Sequence, residues 1–99
     1  MTKQKFTKQF KEDVKRALHF HCNKINQEDL DEQMNYTIDG IVENIKLSNA
    51  VKFQIVPHGD FKQLNSIFEI GFDVYVDYKN GNYSKHYVFL IVYLEKVGE

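Results

Sequence analysis

The chain has 99 residues, 42% hydrophobic and 14% aromatic, with one proline, five glycines, one cysteine and a formal net charge of -1. That is enough for one packed domain over residues 1–99 and too apolar for a disordered chain. The near-neutral balance excludes a global field for nucleic acid or membrane surfaces, and the lone Cys22 excludes an internal disulfide.

The first residues, MTKQKFTKQFKEDVKR, lack the apolar core of a signal peptide, and the longest apolar run, residues 87–94, is strand-sized rather than membrane-sized. A cytoplasmic protein with no membrane partner is expected. Charge is nonetheless segregated along the chain. Residues 1–24 hold seven basic against two acidic residues, and residues 25–50 hold six acidic against one basic.

The first element reads as an amphipathic helix, because Phe6, Phe10, Val14, Ala17, Leu18 and His21 recur at spacings of three and four. Asn23 is its expected stop. A second helix starts at Asn26, a capping residue, with Asp29 three positions on and Ile25 and Leu30 placed as a hydrophobic staple. Its apolar stripe runs through Leu30, Met34, Ile38, Ile41 and Ile45 to a stop at Ser48-Asn49. Gly40 inside it suggests a close approach to the sheet or a bend. The acidic second helix is expected to lie antiparallel to the basic first one.

The period then changes to two. Val51, Phe53 and Ile55 alternate with Lys52 and Gln54, which predicts a half-buried strand ended by Pro57, with a turn at His58-Gly59-Asp60. Asn80-Gly81 predicts a two-residue hairpin turn. Folding back there pairs Tyr78 with Tyr83, Val74 with Tyr87, Phe72 with Phe89, Ile70 with Ile91 and Phe68 with Tyr93 on one apolar face. The other face then pairs Asp77 with Ser84, Tyr75 with His86, Asp73 with Val88, Gly71 with Leu90 and Glu69 with Val92. Only Val76 opposite Lys85 spoils the apolar side. Strands of about 12 residues span about 40 Å, so a bend at Gly71 is expected. The fold class is α+β: two N-terminal helices packed on a three-stranded antiparallel sheet, ααβββ, with a long C-terminal β-hairpin.

No catalytic, nucleotide-binding or metal-ligating pattern stands out, so no enzyme and no cofactor are expected. His19 and His21 point about 200° apart on a helix, and no second cysteine or spaced histidine pair completes a metal set with Cys22, so a part-buried helix end is the reading there. Asp73 and Asp77, beside Tyr75 and His86, form the best functional patch, able in principle to do acid–base work. An open sheet face excludes no water, which favours recognition over catalysis. The functional expectation is a small protein-binding module using Asp73, Tyr75, Asp77, Tyr78, Tyr83 and His86 toward a protein partner, since tyrosine is favoured at interfaces. The Lys-, Asn- and Ile-rich composition without tryptophan suits an AT-rich bacterial or phage genome, and hence an accessory protein of inhibitor or immunity type. The alternative is nucleic-acid binding through Lys5, Lys8, Lys11, Lys15 and Arg16 of the first helix. Self-association as a homodimer is compatible with each reading.

Overall fold

The computed structural model describes residues 1–21 and 24–95, with the side chains at 21, 59–61 and 64 outside that description. Two helices, α1 (Lys3–His21) and α2 (Gln27–Val42), precede a 3-10 turn (Leu47–Asn49) and three strands, β1 (Ala50–Leu64), β2 (Ile67–Tyr78) and β3 (Tyr83–Tyr93). The strands form an antiparallel meander in the order β1-β2-β3. Both helices cover one sheet face, as expected for an α+β domain. Phe6, Phe10, Val14 and Leu18 of α1 and Leu30, Met34, Ile38 and Ile41 of α2 are buried against Phe68, Ile70, Phe72, Val74 and Val76 of β2. The molecule is elongated, 53 × 25 × 19 Å, which accommodates the long hairpin.

The start of α2 forms as its sequence requires, with one change of partner. The Asn26 side chain accepts from the Asp29 N–H at 3.0 Å, and Ile25 and Leu30 are both buried. Instead of reaching back to Asn26, the Asp29 carboxylate accepts from the backbone N–H of Tyr93 at 2.7 Å, while the Asn26 N–H donates to the Tyr93 carbonyl at 2.9 Å. The donor and acceptor of the capping box's return bond are thus turned outward to bind the end of β3. The helices are antiparallel, with exposed ion pairs Lys3–Asp39 at 3.1 Å and Lys15–Asp31 at 3.5 Å.

Several local expectations change: α2 ends at Val42 rather than at Ser48-Asn49, and strand replaces the turn at His58-Gly59-Asp60. Pro57 does not end β1, which runs on to Leu64 with a register irregularity between Pro57 and Phe61. A proline is tolerated there because β1 is an edge strand, with no ladder bond required on its outer side. Gly40 makes no close approach, since a Cβ added there meets nothing within 4 Å. The stretch at His19 and Phe20 is exposed rather than part-buried; Cys22 and Asn23 lie outside the described residues.

The largest correction is the hairpin register. Its loop has three residues, not two. Gly81 donates to the Tyr78 carbonyl at 3.0 Å, Tyr78 donates to the Asn82 carbonyl at 2.9 Å, and Gly81 alone in the loop has positive φ, at 86°. This is a type I turn over Lys79-Asn80 followed by a left-handed glycine bulge. Every pair therefore shifts by one: Phe72 faces Val88, Ile70 faces Leu90, Phe68 faces Val92 and Val76 faces Ser84. Val88, Leu90 and Val92 join the core, and Phe89 and Ile91, expected beside Phe72 and Ile70, lie on the opposite face. With a side-chain period of two, a shift of one residue turns the whole strand over.

Candidate interaction surface

The corrected register divides the expected patch between two faces. Asp73, Tyr75, Asp77 and Tyr83 lie on the face the helices leave open, whereas Tyr78 and His86 lie on the helix side. Tyr75 is opposite Lys85 rather than His86, with the Lys85 ammonium 5.8 Å from its ring centroid. Asp77 is 3.8 Å from the Lys52 ammonium. His86 instead joins a short relay: its Nε2 is 2.7 Å from the Ser84 hydroxyl, which is 2.8 Å from the Tyr78 hydroxyl. Partial burial lowers the His86 pKa below its usual value of 6.5, so the neutral ring is favoured. The set Tyr75, His86, Asp73 and Asp77 does not converge on one point.

Asp73 has other company. It is the only buried charged residue among the described residues. His58 Nδ1 is 2.9 Å from its Oδ2, and no donor among the described residues reaches Oδ1. The continuation of β1 past Pro57 puts His58 on the open face with Val56, and its ring meets Tyr87 edge-on, with centroids 5.0 Å apart. Tyr87 in turn lies across Gly71, so that a Cβ at position 71 would overlap its hydroxyl and ring. The missing side chain of Gly71 is what lets Tyr87 lie flat and cover Asp73. His58 was expected in a turn at His58-Gly59-Asp60; it lies instead in β1, and that is what brings it to Asp73.

The most prominent feature of the open face is apolar. Tyr83, Tyr87, Phe89, Ile91 and Tyr93 alternate along β3, from 46% to 73% exposed, while Val88, Leu90 and Val92 between them are buried. Surface stripes of large apolar side chains mark interaction sites more often than scattered single ones do. Phe89 and Ile91 were expected on the helix side. The signal against that was Lys85, which spoiled the apolar face in the expected register and sits on the open face in the observed one.

Beside this stripe runs a groove of about 610 Å³ between α2 and β3, walled on the helix by Gln33, Tyr36, Thr37, Gly40 and Asn44. Tyr36 is exposed at its rim. On the other side of the molecule, α1 displays Lys5 and Lys8 in solvent, whereas Lys15 is engaged by Asp31 and Arg16 by Asp13. Among the described residues no group of three His, Cys, Asp or Glu is placed to hold a metal ion, and no helix is long and apolar enough to cross a membrane. No family model, curated protein or solved structure matches this chain.

Proposed function

We propose that this protein is a protein-binding module whose docking surface is centred on β3. The observation that carries the reading is the exposed stripe Tyr83, Tyr87, Phe89, Ile91 and Tyr93 on an uncovered sheet face. Such a surface suits recognition: tyrosine and phenylalanine supply large contact area with few rotatable bonds, and the flanking Asp77, Lys85 and Lys52 form a polar rim. A module of this kind acts by occupying its partner, which fits an accessory protein of inhibitor or immunity type from a bacterial or phage genome.

The test is affinity capture from the cells that encode the protein, using the wild type and a Phe89→Ser, Ile91→Ser double variant. Both side chains are half exposed, so the variant stays folded. A partner held by the wild type and lost from the variant supports the reading. Identical captured proteins for both overturn it.

Nucleic-acid binding through α1 is a second reading, favoured by Lys5, Lys8 and Lys11, which have no acidic partner among the described residues. The engagement of Lys3 and Lys15 by α2 weakens it, since those cations serve helix pairing. It predicts affinity for a labelled duplex that falls steeply with salt, and absence of binding at low salt removes it.

A further inference from the structure

The docking surface just described has a direction of approach written into its backbone. In an antiparallel strand, alternate residues turn their N–H and C=O toward one neighbour and then the other. Leu94 donates to Ser66 on the β2 side, whereas Tyr93 bonds through both its N–H and its C=O to Asp29 and Asn26 on the outer side. The odd-numbered residues of β3 therefore present their backbone groups outward. At Tyr93 the start of α2 satisfies them. At Lys85, Tyr87, Phe89 and Ile91 no partner among the described residues does. This open segment of seven residues spans about 23 Å and lies along the floor of the α2–β3 groove.

We propose that β3 accepts an extended segment of another protein as a fourth strand, with apolar residues on its open-face side and lysine or arginine on the side facing α2. The inference rests on the docking reading above and specifies how the partner sits. Added beside β3, such a strand places alternate side chains next to Tyr87, Phe89 and Ile91, where β-branched or aromatic neighbours pack best. Its other side chains enter the groove under α2. That helix carries no basic residue, and Glu32 and Glu43 share the stripe of Tyr36 and Gly40 at helical spacing. Neither glutamate has an ion-pair partner among the described residues. The two glutamates flank the groove rather than line it, so a long basic side chain that reaches past its Tyr36 and Gly40 wall meets this unpaired charge.

The same features oppose a second copy of the chain as the occupant. A two-fold axis along β3 would bring two acidic α2 helices together, with like charges facing.

A display library of random eight-residue segments, selected on the wild type and counter-selected on a Tyr87→Pro variant, tests this. Proline removes one outward N–H without touching the ladder to β2. Segments alternating apolar residues with Lys or Arg are expected to survive. A surviving peptide should slow amide exchange at Tyr87, Phe89 and Ile91 about tenfold or more, and N-methylation of its alternate amides should weaken binding about tenfold. The methylated peptide reads the same bond from the ligand side, so the test stands even where Tyr87→Pro unfolds. No enrichment, or enrichment of acidic segments, overturns the proposal. Peptides that tolerate N-methylation on either register but are lost with the Phe89→Ser, Ile91→Ser variant overturn strand addition while leaving the docking surface in place. Exchange that slows with protein concentration alone, together with a doubled mass in solution, assigns the edge to a second copy and also overturns it.

Discussion

The sheet has two edges, and they are built in opposite ways. β1 carries Pro57, two register irregularities, between Ala50 and Lys52 and between Pro57 and Phe61, and Lys52 and Lys62. These are the devices by which natural sheets prevent a free edge from pairing with another chain. β3 has one of them along residues 83–92, the single fixed charge of Lys85: its register is unbroken and it contains no proline. Among the described residues its outward backbone groups are covered only at Tyr93, by the start of α2. Both strands are edges because a meander leaves its first and last strands unpaired on one side. The difference teaches that the exposed apolar side chains of β3 belong to an edge left open, not to a sheet that ran out of cover.

The sharpest way to break this contrast is to test which side of β3 faces the core. Phe72→Ala, on the central strand under the helices, is expected to cost about 3–5 kcal/mol in urea denaturation, as a large side chain lost from a closed core. Phe89→Ala, on the open face, should change stability by about 0.5 kcal/mol or less. Equal costs would restore the register in which these two rings meet.

The protection at Tyr93 comes next. Asp29→Ala removes the acceptor of the Tyr93 N–H and a first-turn carboxylate, and is expected to cost about 1–2 kcal/mol. Amide exchange at Tyr93 should accelerate, while exchange at Leu90 should follow only the global loss of stability. Unchanged exchange at Tyr93 would mean that α2 does not close that end of the edge.

Gly71→Ala asks whether Tyr87 is held flat against the open face. The new methyl group must displace the Tyr87 ring, at a cost of about 1 kcal/mol. In a Tyr87→Ala background the same substitution should cost less, and a double-mutant cycle measures the difference.

The smallest expected effect is on pH dependence. Burial lowers the His86 pKa, so between the folded-state value and 6.5 the unfolded chain binds more protons than the folded one. The contribution of His86 is complete above about pH 6.5 and declines as pH falls below it. His86→Gln should flatten the acid side of a stability–pH profile, and an unaltered slope would remove His86 as its source.

Much of the fold was legible because local patterns and long-range packing agreed. Phe6, Phe10, Val14 and Leu18 repeat at helical spacing and are all buried, and Asn26 caps α2 as its side chain allows. The acidic and basic helices pair antiparallel, as their charges require. The site was less legible. Tyr75, Asp77 and Tyr83 do lie on the open face, but Tyr78 and His86 do not, and the His58–Asp73 pair needed β1 to run on past Pro57, where a turn was expected.

What the sequence determined by itself is the place of each element and the position of the hairpin loop at Asn80-Gly81. What only the tertiary structure decided is the loop's length, and with it the face of every residue in β3. Two- and three-residue loops both accept Asn-Gly, and residues 87–94 are apolar at every position, so alternation could not choose between them. The choice was made in the packing beneath the helices: Val88, Leu90 and Val92, with no ring among them, are buried there, and Tyr87, Phe89, Ile91 and Tyr93 are left on the open face.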